Sequence, residues 1–157
     1  MWPQDQSRER FPCDSISVED LFHGLDPKDR KKLSSLEDHR TFSPDEVIFA
    51  AGDPPVNIYV HLRGRAALFQ DAAGNTTVYA CPVGPDRVYG LIEALAEEEF
   101  GMSMKTLTMS EFEVISTDDL LGFITERSAL CFKLAAIVSR MYQRELGTIR
   151  DYGSSEH

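Results

Sequence analysis

Residues 89–106 read YGLIEALAEEEFGMSMKT. An aromatic, a glycine and an apolar helical run are the order of a short helix whose first amides face an anion. The charges oppose that chemistry. Glu97, Glu98 and Glu99 follow the run, and within the stretch the only cation is Lys105, at its far end. A phosphate beside unpaired carboxylates is repelled by about 1 kcal/mol per close pair even with water-like screening. Arg87, two residues upstream, and Lys105 are the cations that could swing in, and a lysine lacks the planar fork that grips a phosphate with two bonds.

No other cluster points to catalysis. His23, His39, His61 and His157 stand apart and form no HxH or HxxxH pair, so a metal-dependent small-barrel enzyme lacks its ligand set. No serine or cysteine sits in a glycine-rich elbow. Tyr59-Val60-His61 reads as strand surface. The expectation is no catalytic residues, no metal and no enzyme. Cys13, Cys81 and Cys131 are scattered and odd in number, which predicts free thiols in a reducing cytoplasm. Tyr89 to Ser103 remain the candidate ligand pocket: Tyr89, Gly90, Leu91, Ile92, Glu93, Phe100, Gly101, Met102 and Ser103.

The elements that must position this stretch are short. The chain has 157 residues and a formal net charge of −10, which disfavours non-specific association with nucleic acid or anionic membrane. No apolar run approaches the roughly 20 residues that cross a bilayer, and the first 15 residues have no signal-like apolar segment. Those residues read as a flexible tail. Ser17 precedes a short helix, and Asp26-Pro27 caps and opens a second over 27–37. From Thr41 the pattern becomes short β-rich runs, VIFA, NIYVHLRG, RAALFQD and TTVYACP, broken by SPDE, AGDPP, DAAGN and VGPD. That grammar indicates a sandwich or barrel. In the run from Asn57 to Gly64, Ile58, Val60 and Leu62 alternate with Tyr59, His61 and Arg63, the period of a half-buried strand. One or two more strands follow in 105–116.

From Thr117 the helical period returns, with a helix from a Thr117-Asp118-Asp119 start to about Glu126 and a longer one over 129–150. Its stripe of Leu130, Leu134, Ile137, Val138, Met141, Leu146 and Ile149 is about one face wide. Its far half extends beyond a small barrel, which predicts pairing with a second copy through Leu134, Ile137, Met141, Leu146 and Ile149. Residues 151–157 read as a tail.

That order of elements resembles the cyclic nucleotide-binding domain of the catabolite activator and fumarate-nitrate regulator family. LFHGLDPKDRKKLSSL is similar to the family's leading helices. FSPDEVIFAAGDPPVNIYVHLRGRAALF is similar to its strand, Gly-Asp turn, strand and Gly turn, with Gly52, Asp53 and Gly64 at the fold-defining turn positions. VGPDRVYGLIEAL falls where the phosphate-binding cassette lies, and SEFEVISTDDLLGFI where the last strand runs into the final helices. The resemblance implies a mainly β fold with flanking helices: a double-stranded β-helix, or jelly-roll-like β-roll, over 16–128, with N-terminal helices and a long C-terminal helix.

The resemblance also assigns roles. In the family a glutamate after the cassette glycine takes the ribose hydroxyl, and an arginine further on neutralises the phosphate. Here those positions hold Leu91 and Phe100, and Glu99 stands where the family has proline. A cyclic nucleotide stays open as a ligand but is disfavoured; no other cofactor is implied. Leu91, Phe100, Met102 and Met104 could instead line an apolar pocket for a hydrophobic effector, or simply fill it. The family's regulators carry a helix-turn-helix after the long helix, and too few residues follow Ile149 to form one, so direct DNA reading is not expected. The implied function is a cytoplasmic, non-enzymatic sensor with a degenerate cassette that signals through a homodimer or a separate protein partner. A genuine binder of cyclic AMP or cyclic GMP and a sensor of an apolar effector are the alternatives.

Overall fold

The structure is a computed structural model. It describes residues 15–72 and 76–155, with the side chains of 71, 72, 76–80, 145, 146 and 148–155 left aside. The chain runs β1 (Ile16–Ser17), α1 (Val18–Phe22), α2 (Pro27–Leu36), β2 (Asp38–Phe42), β3 (Val47–Phe49), β4 (Asn57–Arg63), β5 (Ala66–Ala72), β6 (Thr76–Val83), β7 (Arg87–Tyr89), α3 (Leu91–Ala96), β8 (Ser103–Thr106), β9 (Ser110–Ser116), α4 (Thr117–Thr125) and α5 (Ser128–Ser155). Two antiparallel sheets, ordered β1-β7-β4-β9-β2 and β3-β8-β5-β6, make the expected β-roll. The DAAGN turn joins β5 to β6, and its residues 73–75 lie outside those described.

Local chemistry sets the helix starts. The Ser17 hydroxyl accepts from the Asp20 amide at 3.4 Å and the Asp26 carboxylate from the Asp29 amide at 2.8 Å. Each satisfies an amide left open at a helix start. The start of α4 falls one residue earlier than expected: Ser116, not Thr117, takes the Asp119 amide at 3.1 Å. Thr117 instead donates its hydroxyl to the Pro55 carbonyl at 2.5 Å and its amide to the Val56 carbonyl at 3.0 Å.

Two apolar cores lie on opposite faces of the first sheet. One joins that sheet to the helices and contains Leu21, Phe22, Ile58, Val60, Ile115, Leu120, Phe123, Leu130, Leu134 and Ile137. The other fills the roll and contains Phe49, Tyr59, Leu68, Phe100, Met104, Phe112 and Val114. The central strand β4 is therefore buried on both faces, which corrects the half-buried expectation. Tyr59 and His61 are interior, and Leu62 is exposed. A strand covered on both sides keeps its period of two, so alternation does not report the second covering layer.

Three further differences concern the ends of elements and the thiols. β1 and β2 were not anticipated. α5 continues to Ser155 rather than stopping near 150, since no proline interrupts it. Cys81 is disulfide-bonded, while Cys131 is free. Spacing along the chain does not show which distant segments fold together, so the expectation of free thiols fails at Cys81. Among the described residues no helix is long and apolar enough to cross a membrane, and no group of three or more His, Cys, Asp and Glu could hold a metal ion.

Candidate functional site

β7 delivers the cassette. Tyr89 pairs with Tyr59 across the strands and is buried, which raises its phenol pKa. Gly90 then takes φ +99°, a conformation that L side chains rarely adopt, and caps α3. A Cβ there would lie 2.9 Å from the Asn57 carbonyl oxygen, 3.3 Å from Cζ of Phe100 and 3.6 Å from Cα of Ile58. The glycine is thus required twice, by its backbone angle and by the close approach of β4. On the other side of β4, Asn57 stands opposite Ser116, the cap of α4.

α3 is brief. The Ala94 amide bonds the Gly90 carbonyl at 3.0 Å, and Glu97 closes the helix at φ 55°. Leu91, 1% exposed, and Ala94 pack into the core shared with the helices, with Ile92 against its edge. Glu93 is half-buried: burial raises its carboxyl pKa, and the charge of Glu98 adds to that. Glu97, Glu98 and Glu99 are exposed.

The exit of the cassette is gripped by the Gly52-Asp53 turn. Gly52 donates its amide to the Phe100 carbonyl at 2.8 Å, and the Phe100 amide returns to the Asp53 carbonyl at 3.0 Å. The Ser103 hydroxyl accepts from the Ala51 amide at 2.8 Å. The Phe100 side chain, 5% exposed, stacks on Phe49 with ring centroids 4.0 Å apart and planes 18° apart; Phe49 in turn lies 5.5 Å from Tyr59. Met102 and Met104 are buried in the same cluster, and Gly101 is exposed between.

The four residues that could line an apolar pocket therefore divide. Phe100, Met102 and Met104 share the core of the roll, whereas Leu91 faces the helical core on the other side of the first sheet. They do not form one wall. The two nearby cations are engaged elsewhere. Arg87 donates Nε to the Ser15 hydroxyl at 2.9 Å and Nη2 to the Ser15 carbonyl, fastening β1 to β7. Lys105 pairs with Asp45 at 3.1 Å on the outside of β8.

The residues assigned to a partner helix also divide. Leu134 and Ile137 are buried in the chain's own helical core, and Met141 packs against its margin. The side chains of Leu146 and Ile149 lie outside those described. Among the described side chains of α5, the exposed large apolar ones are Phe132 at 78%, Tyr142 at 58% and Val138. Phe132, Ala135, Ala136, Ser139 and Tyr142 follow one another by threes and fours on the face opposite Leu130, Leu134 and Ile137. Sequence reasoning missed this second stripe because small residues separate its aromatics.

A two-sheet roll with a glycine-led short helix at one mouth and a long helix after its last strand is the architecture of the cyclic nucleotide-binding regulators. The family model for the cyclic nucleotide-binding domain matches residues 39–127, more than half of the chain. The chain belongs to the cyclic nucleotide-binding domain family. It is 27% identical over 120 residues to the cyclic AMP receptor protein of Thermus thermophilus, a match covering 76% of this chain and 56% of the relative. The chain thus spans little more than half the length of that relative. The crystal structure of the Thermus thermophilus catabolite activator protein superposes with a TM-score of 0.71 at 27% identity, over 86% of this chain and 63% of that one. The sensor domain of the regulator DNR from Pseudomonas aeruginosa has the same fold, with a TM-score of 0.71 at 16% identity over 80% and 85% of the two chains.

Proposed function

We propose that this chain is a non-enzymatic regulatory module whose cassette keeps its backbone frame and has lost the two groups that hold a cyclic nucleotide. One observation carries the reading: Phe100, at the position the resemblance gives to the phosphate-binding arginine, lies inside a stack with Phe49 and Tyr59. Burying such a ring is worth about 1.5–3 kcal/mol, so the side chain has its own reason to stay there. Leu91, at the ribose-binding position, is likewise core. A phosphate at this mouth would lack a charge-assisted contact worth about 1.5–3 kcal/mol and would face Glu97, Glu98 and Glu99.

Output passes through the α4–α5 joint and α5. The stripe of Phe132, Ala135, Ala136, Ser139 and Tyr142 supports pairing with a second copy, because two aromatics flanking small residues let helices approach closely and bury area. A pairing face on this side leaves Leu134 and Ile137 in their own core.

The test is calorimetric titration with cyclic AMP and cyclic GMP at low and physiological salt. No heat of binding up to millimolar nucleotide is expected. Micromolar binding would overturn the reading of Leu91 and Phe100 and favour a rearranged site, the alternative supported by the likeness to a cyclic AMP receptor protein.

A further inference from the structure

The joint between α4 and α5 is tied to the corner between α1 and α2 by two cationic side chains. Arg127 precedes the first turn of α5. Its Nη2 lies 2.9 Å from the Asp29 carboxylate on α2, its Nη1 donates to the Phe123 carbonyl at 2.9 Å, and its Cζ sits 3.8 Å from the centre of the Phe123 ring. Glu126 is 3.6 Å from Nη1. The Arg127 and Asp29 side chains are 19% and 26% exposed, so solvent screens this pair only in part. Nearly two turns further along, Lys133 Nζ donates to the carbonyl of His23, which closes α1. His23 also pairs with Glu19 at 2.8 Å on the exposed side of α1. Beside this contact lies an open cleft of about 70 Å³, lined by His23, Gly24, Asp29, Arg127, Leu130 and Lys133.

We infer that Arg127 and Lys133 form a clasp that sets the direction of α5, and that losing the Asp29–Arg127 pair frees the joint to move into the space beside it. Three features carry this. Both cations belong to α5 and the residue before it, both clasp partners belong to the α1–α2 corner, and an open cleft lies beside the contact at the edge of the shared helical core. The inference concerns the mechanics of this chain alone and holds whatever the roll binds. Arg127 acts here as a positioning residue.

Hydrogen–deuterium exchange of the intact chain tests it, read at the amides of 126–133 and, as a reference, at β4 and β9. Asp29→Asn is expected to raise exchange at the joint about tenfold, the scale of one charge-assisted bond, while β4 and β9 stay unchanged. Arg127→Lys keeps the charge but cannot bond Asp29 and the Phe123 carbonyl together, so a smaller rise is expected. Unchanged exchange at the joint in Asp29→Asn or Arg127→Lys would overturn the clasp. So would an equal rise in β4 and β9.

Discussion

Replacing Gly90 with alanine isolates how tightly the cassette mouth is closed. Two costs add at this position. A non-glycine residue at φ +99° carries backbone strain of about 1–2 kcal/mol. The new Cβ would also stand 2.9 Å from the Asn57 carbonyl oxygen and 3.3 Å from the Phe100 ring. The carbonyl belongs to the central strand and cannot yield cheaply, so overpacking adds about 1–3 kcal/mol. Gly52 supplies the control: it has φ +91°, and an added Cβ would meet nothing within 4 Å. Gly52→Ala therefore pays for strain alone, about 1–2 kcal/mol. Urea unfolding of the three proteins should place Gly90→Ala about 3–4 kcal/mol below the natural chain and about 2 kcal/mol below Gly52→Ala. In thermal unfolding the gap between the two variants is about 4–8 °C for a chain of this size. Equal losses in the two variants would refute the close approach of β4 and Phe100 to Gly90.

Other outcomes follow from the same contacts. Phe100→Ala should cost about 3–5 kcal/mol of unfolding free energy, measured in urea, because the ring leaves a gap against Phe49. Phe132→Glu with Tyr142→Glu should shift sedimentation toward the monomer and make the unfolding midpoint independent of protein concentration, whereas Leu134→Ala should lower the unfolding free energy by about 2–5 kcal/mol. His61 is fully buried, stacked on Phe112 at 4.4 Å, with Nε2 3.0 Å from the Arg63 carbonyl; burial pushes its pKa down, and nearby backbone carbonyls offset this in part. The unfolded chain then binds more protons than the folded one just below about pH 6.5, so this group's stabilisation is present above that value and falls as the solution is acidified. His61→Phe should reduce the loss of stability between about pH 7.5 and about pH 5.5, read by urea unfolding at each. His39 acts in the other direction: hydrogen bonds to Glu113 and Glu111 raise its pKa, so its contribution is present below about pH 6.5 and is lost as pH rises past its folded value.

The strands between Val47 and Val83 were legible because turn residues bracket each one, and the glycine-led helix at 91–96 because an apolar run follows Tyr89-Gly90. The strand Asp38–Phe42 was not legible. Its sequence, DHRTF, has almost no β signature, and it is held by pairing with β9, where His39 lies 2.9 Å from Glu113 and 3.1 Å from Glu111. That pairing exists only after chain segments far apart in sequence have met. The site was legible as a frame. The resemblance put Leu91 and Phe100 at the two ligand positions, but no spacing rule says that one faces the helices and the other the roll. The grip of the Gly52-Asp53 turn on Phe100 was equally hidden: the turn was recognised for its shape, and its amide and carbonyl turned out to be bonded to the cassette.

Asn57 has a consequence for how far a signal would have to travel. The cassette glycine leaves room for its carbonyl on one side, where a Cβ would come within 2.9 Å, and across the other edge of the same strand it faces the serine that starts α4. Neighbouring strands are about 4.8 Å apart, so the mouth and the start of α4 are separated by roughly two such steps across the sheet. No relay of side chains is needed over that distance. The two ends lie on opposite sides of the central strand of one sheet, so a sequence change that tilts one side is expected to be felt at the other.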